Sequence, residues 1–261
     1  DEMRVRKTVW IFSVAILLAA LLLIINSRIN LRSEIILGGA ENGFISTDNL
    51  KKPLDDYGSN GNPADSYEYP DVKITDWQYV LINGENPSQS FVPQYKEVRN
   101  TGAYFSSSAL SSLNSLIDAA TEAGFTPYID CGYRSYSAQQ YTFTAKANQL
   151  SADGTYSFEE AVEIARSIVA YPGTSDHQTG LGVDILDKKS ADMDYSKMDK
   201  EFYAWMDEHC AEFGFIKRYP SDRKDDTGWD EPWHYRYVGV EAAQFITEHG
   251  LILEEFVAHY R

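Results

Sequence analysis

An uncharged apolar run from about Val9 to Ile25 divides this 261-residue chain before anything else about its fold is decided. At about 1.5 Å of helical rise per residue the run reaches roughly 26 Å, enough to cross a bilayer core with help from its flanks. Arg4, Arg6 and Lys7 precede it, and it ends in Asn26-Ser27-Arg28 without an Ala-x-Ala cleavage site. It therefore reads as an uncleaved membrane anchor rather than a removed signal peptide. The basic residues ahead of it orient the N-terminus to the cytoplasm and the remainder of the chain to the outside. Residues 1–32 are thus expected to form the anchor, contacting membrane through residues 9–25. Residues 33–75, rich in Gly, Asn, Asp, Ser and Pro and including the run Gly58 to Pro63, are expected to form a flexible stalk. Residues 76–261 remain for the folded body.

A formal net charge of −16 argues against duplex DNA or RNA as a partner, because phosphate neutralisation needs clustered Lys and Arg. The two cysteines, Cys131 and Cys210, are too few for a disulfide scaffold and lack CxxC spacing. They either form one bridge or stay as thiols.

Within the body, Trp77 to Ile82 has strand composition and stops at Asn83-Gly84. Ser106 to Ala123 carries Leu110, Leu113, Leu116, Ile117 and Ala120 at helical spacing and stops at Gly124. Thr126 to Asp130 reads as a strand and Ser137 to Leu150 as a helix. Ser157 and Glu160 form a capping box for a helix that ends before Pro172. Leu181 to Leu186 alternates as a strand does, and Asp199 to Phe213 is a helix. Phe215 to Arg218 and Tyr235 to Val238 are strands, and Glu241 to His249 is a helix ending at Gly250. Without regular strand–helix alternation, this order predicts an α+β fold with a small antiparallel sheet flanked by helices.

Two of the five histidines sit in unusual company. Asp184 lies between Val183 and Ile185, where a carboxylate is costly to bury without a partner. On a strand it points away from its apolar neighbours, toward a cleft. Gly180 and Gly182 let the chain double back to bring His177 beside it, and His234 supplies a third donor. Two imidazoles and one carboxylate leave a fourth tetrahedral position open, the arrangement of a catalytic zinc site. Glu231, three residues before His234, is placed to act as a general base without binding the metal. Arg134 follows a strand, where a buried cation without a role is unusual. His209, His249 and His259 are given no catalytic part, and the acidic loop from Asp222 to Asp230 lacks the alternating ligands of an EF-hand.

The wording of these segments, Ser175-x-His177-x-x-Gly180-x-Gly182-x-Asp184 and Glu231-x-Trp233-His234-x-Arg236-Tyr237, resembles the two signatures of the VanY-type D-alanyl-D-alanine carboxypeptidases. Gly132-Tyr133-Arg134-Ser135-Tyr136 with Gln139 resembles the family's substrate-side motif, and Gly214-Phe215-Ile216-x-Arg218-Tyr219-Pro220 is a fourth match. They run in the family's order across about Trp77 to Val257. The resemblance implies one Zn2+ per chain held by His177, Asp184 and His234, with Glu231 as catalytic base. It implies Arg134 as oxyanion stabiliser or substrate clamp, and Ser175 and Gln139 as substrate contacts. The implied reaction removes the C-terminal D-alanine from bacterial peptidoglycan stem peptides or precursors. L,D-carboxypeptidase action, endopeptidase action on the wall and a non-catalytic zinc-containing wall-binding module are the alternatives. The family leads us to expect a small polar residue at position 131. Cys131 departs from it, and is read as a partner of Cys210 or a buried thiol, not as a metal ligand. Arg236 is expected to pair with a carboxylate, and Trp233 to line the core or the cleft. The implied location is the bacterial cell membrane, with the catalytic domain outside.

Overall fold

The computed structural model describes residues 67–189 and 193–261. A two-stranded antiparallel ribbon of β1 (Tyr95–Glu97) and β2 (Tyr104–Ser106) precedes the main sheet. That sheet contains β3 (Tyr128–Cys131), β4 (Gly182–Leu186), β5 (Phe215–Tyr219) and β6 (Glu231–Tyr237). Its order is β3-β4-β6-β5, antiparallel throughout. The helices are α1 (Leu110–Glu122), α2 (Tyr136–Leu150), α3 (Phe158–Arg166), α4 (Lys200–His209), the single-turn α5 (Lys224–Thr227), α6 (Val240–Glu248) and α7 (Leu253–His259). The expected α+β architecture with a small antiparallel sheet is what the chain adopts.

Strand alternation sorts the sheet into two chemistries. Val183, Ile185, Phe215 and Tyr235 point into a core built with Leu113 and Leu116 of α1 and Phe202 and Met206 of α4. Between them in sequence, Asp184, Arg218, His234 and Arg236 are buried as well, so the other face carries charge inside the protein. Ile216 and Val238 join a second core with Ala242, Ala243 and Ile246 of α6 and Leu253 and Phe256 of α7. Helix starts follow local chemistry: the Ser135 hydroxyl caps α2, and the reciprocal Ser157–Glu160 box opens α3.

Several expectations need correction. Trp77 to Ile82 is not a strand. Trp77–Tyr79 forms a 3-10 turn, and the carbonyls of Gln78 and Val80 accept hydrogen bonds from Arg236 instead of a ladder partner. The folded body reaches back into the stretch read as stalk: Tyr69 stacks on His259 at 3.5 Å, and Val72 and Ile74 pack on the second core. The helix expected over Asp199 to Phe213 ends at His209 and continues as a 3-10 turn over Cys210–Phe213. β6 begins at Glu231, four residues before its expected start. Cys131 and Cys210 are free thiols, so the bridge weighed for them is not formed. Among the described residues no helix is long and apolar enough to cross a membrane. The anchor over 1–32, and the stalk as far as residue 66, lie outside the described residues.

Candidate metal centre

Register builds the site. Asp184 on β4 pairs directly with His234 on β6, which sets the two side chains beside each other on one face. His177 arrives from outside the sheet, in a 3-10 turn over Asp176–Thr179 whose four residues are all buried. Gly180 ends that turn in the left-handed conformation at φ 70°. Gly182 then lets the turn lie on the sheet, because a Cβ there would fall 2.6 Å from Asp176 Oδ2 and 2.8 Å from His234 Nε2.

Each imidazole has one nitrogen engaged and one turned inward. His177 Nδ1 lies 2.8 Å from the Gly132 carbonyl, which makes it the protonated nitrogen and leaves Nε2 free, 3.2 Å from Asp184 Oδ2. His234 Nε2 lies 3.2 Å from Asp176 Oδ2, leaving Nδ1 free, 3.0 Å from Asp184 Oδ1. Asp184 Oδ1 and His234 Nδ1 are buried, and despite that approach neither makes a hydrogen bond. Two donors bound tetrahedrally to zinc at about 2.0–2.2 Å stand roughly 3.3–3.6 Å apart. The separations of 3.2 and 3.0 Å fall a few tenths of an ångström short of that range. A small outward movement lets His177 Nε2, Asp184 and His234 Nδ1 hold a zinc ion, for which the orphaned atoms are otherwise suited.

Behind this set lies a residue that sequence reading gave no role. Asp176 is fully buried and joins His234 to Arg236, whose Nη1 lies 2.5 Å from Asp176 Oδ1. Arg218 Nε is 3.8 Å from the same oxygen and pairs on its far side with Glu254 at 2.5 and 2.9 Å. Burial alone would raise the Asp176 pKa, but Arg236, His234 and Arg218 hold it far below the usual carboxylate range. The same contest depresses Asp184, where the two imidazoles override burial. The signal available for Asp176 was the pair Arg218 and Arg236 on neighbouring strands, two cations whose burial demands a counter-charge. Arg236 thus meets the carboxylate partner expected of it.

Glu231 opens β6 with its Oε2 3.6 Å from His234 Nδ1. Burial, aided by the Asp184 charge, raises its pKa above the ordinary value despite His234. Arg134 projects to the same region: its backbone N–H donates to the His177 carbonyl at 3.1 Å, and Nη2 reaches the buried Ser175 hydroxyl at 3.5 Å. Its Nε is buried without a partner. Gln139 differs from these. Fully buried on α2, it donates from Nε2 to the Ala170 carbonyl at 2.6 Å, a brace to the loop before the 3-10 turn. Tyr219 of β5 packs its ring 4.9 Å from that of His234 and closes the site on the β5 side. Trp233 borders the first core.

Two histidines and an aspartate around orphaned donors, with a recessed glutamate alongside, define a candidate mononuclear metal centre with an adjacent base. The chain belongs to the VanY D-alanyl-D-alanine carboxypeptidase family, whose model matches residues 102–240. A D-alanyl-D-alanine carboxypeptidase of Enterococcus faecalis is 40% identical over 183 residues, 70% of this chain. The match takes in 66% of that relative, so this chain spans just under two thirds of it. Among solved structures, a vancomycin-resistance D,D-pentapeptidase VanY mutant in complex with Zn(II) is 38% identical with a TM-score of 0.61, over 70% of this chain and 99% of that one. VanYB in complex with D-alanine-D-alanine is 37% identical with a TM-score of 0.61, over 71% and 100%.

Proposed function

We propose that this protein is a zinc-dependent D,D-carboxypeptidase that removes the terminal D-alanine from peptidoglycan stem peptides or their precursors. The observation that carries the reading is the pair of inward imidazole nitrogens facing Asp184, each fixed from behind by an acceptor on its other nitrogen. The Zn(II) and D-alanine-D-alanine complexes of similar proteins support the choice of metal and substrate. In this reading His177, Asp184 and His234 hold one zinc ion. When bound, zinc acts as a Lewis acid that polarises the scissile carbonyl and eases deprotonation of water.

The chain's own residues supply the rest. Glu231, recessed with its Oε2 3.6 Å from His234 Nδ1, accepts a proton from the attacking water and returns it to the departing amine. Arg134 offers forked donors to the carbonyl oxygen as it gains charge, or to the terminal carboxylate of the peptide. Ser175 holds that guanidinium in place. Gln139 braces the loop through the Ala170 carbonyl, while its Oε1 is buried without a partner. The apolar run at residues 9–25 supports a second part of the proposal, a single-pass anchor in the bacterial cell membrane with the catalytic body outside.

The test is D-alanine release from pentapeptide and tetrapeptide stems, with and without a chelator, by the wild type and by Glu231→Ala. The expected result is chelator-sensitive release from the pentapeptide, abolished in Glu231→Ala with zinc content unchanged. Release from the tetrapeptide alone would replace the reading with L,D-carboxypeptidase action. Full activity of Glu231→Ala would remove that residue from the base role.

A further inference from the structure

Cys131 ends β3, and the register of β3 with β4 contains an irregularity. Ile129 pairs with Ile185, yet the next pair is Cys131 with Asp184, so Asp130 is the extra residue of a bulge. Without it, Asp130 would stand opposite Asp184. With it, Cys131, Asp184 and His234 form one continuous row across three strands. The row ends at a sulfur whose reach matches its position: Cys131 Sγ, a His177 ring nitrogen and an Asp184 carboxylate oxygen all lie within 4.8 Å of one another. His234 stands outside that group and adjoins it through Asp184, whose Oδ1 lies 3.0 Å from His234 Nδ1; both atoms are buried and without hydrogen-bond partners. The thiol lies 3.7 Å from the Gly132 carbonyl and 3.9 Å from Arg134 Nη1, and it also meets the His177 ring.

We propose that Cys131 is a further protein ligand of the metal, binding the ion through Sγ beside His177, Asp184 and His234. The proposal rests on the zinc reading above and extends it. On binding, a sulfur–metal bond forms, the S–H bond breaks, and the proton passes to solvent. A thiolate is the softest donor in the set and favours zinc over magnesium, calcium and manganese. It also completes four protein donors, the closed coordination of a structural zinc site. The resting centre is therefore capped by sulfur, and the water needed for hydrolysis enters only when the sulfur yields its place or the coordination expands. The β3 bulge is the device that delivers the cap, since it is what sets Cys131 opposite Asp184.

The test is zinc X-ray absorption on the full 261-residue chain without substrate, accompanied by cobalt substitution. One sulfur scatterer at about 2.3 Å is expected, distinct from nitrogen and oxygen at about 2.0–2.2 Å. The cobalt form should show a sulfur-to-metal charge-transfer band, lost in Cys131→Ser. Zinc retention by Cys131→Ser against a chelator should weaken by at least about tenfold, the lower bound for outer-shell changes. Stoichiometric zinc with only nitrogen and oxygen neighbours in the wild type would overturn the cysteine ligand and leave the zinc reading intact. Failure of the wild type to take up zinc or cobalt at all would overturn both. The wild-type spectrum decides the matter even if the variant folds poorly.

Discussion

Replacing Asp176 by Asn tests how the metal centre is held from behind. Three cationic or donor groups converge on this carboxylate: His234 Nε2 at 3.2 Å, Arg236 Nη1 at 2.5 Å and Arg218 Nε at 3.8 Å. The losses are unequal. Arg218 keeps its two hydrogen bonds to Glu254, so it is not left without counter-charge. Arg236 keeps the carbonyls of Gln78, Val80 and Tyr237 but loses its ion-pair partner in a fully buried position. One uncompensated buried cation costs about 3–5 kcal/mol, and three surviving carbonyl acceptors place this case near 3. For a body of this size that corresponds to a melting temperature lowered by roughly 6–12 °C. His234, lacking an anionic acceptor, no longer has its tautomer fixed, and outer-shell losses of this kind weaken metal binding about 10–100-fold, or roughly 1.4–2.7 kcal/mol. Zinc competition against a fluorescent chelator reads the second effect, and thermal unfolding of the metal-free protein reads the first. A variant that melts early yet binds zinc within twofold of wild type refutes the orienting role of Asp176. An unchanged melting temperature refutes the charge accounting.

Gly182→Ala places a Cβ 2.6 Å from Asp176 Oδ2 and 2.8 Å from His234 Nε2, so one of the two must move. Zinc affinity in the same competition should fall at least about tenfold, and wild-type affinity would show that the turn yields without disturbing His234. Glu254 gives a pH dependence. Burial works to raise its pKa, but Arg218 and the Asn83 amide lower it below the ordinary value of 4.5. A depressed folded pKa contributes stability above that ordinary value and loses it as pH falls through the folded one. Glu254→Gln should therefore melt earlier at neutral pH and show a flatter acid limb, and parallel limbs for variant and wild type would defeat the assignment.

Much of this architecture could be read from periodicity, and the departures have specific causes. The helices with apolar faces, such as Leu113, Leu116, Ile117 and Ala120 of α1, were placed within a few residues. α7 escaped because Glu254 and Glu255, ordinarily signs of an exposed face, are buried against Arg218 and Arg223. The ribbon escaped because all three residues of β1 are exposed and show no alternation. Trp77 to Ile82 carried strand composition, but its carbonyls are taken by an arginine side chain, a partner that composition does not encode. At the site, the structure gathers His177, Asp184, His234, Glu231, Arg134 and Ser175, whereas Gln139 donates to a loop carbonyl. Asp176 and the placement of Cys131 depended on pairing register and a bulge, which no single segment reveals.

The bridging position of Arg218 bears on how the chain reaches this state. Asp176 and Arg236 are 60 residues apart, and Arg218 and Glu254 are 36 apart. An assembly in which β5 and β6 docked before the Asp176 turn or α7 arrived would strand guanidinium groups in a dry interior, at several kcal/mol each. Half-built forms are therefore disfavoured, and both cores must close nearly together. Amides around His234 should consequently exchange with solvent only through global unfolding, not by local opening. Formation should be slow, as contacts of long sequence separation require.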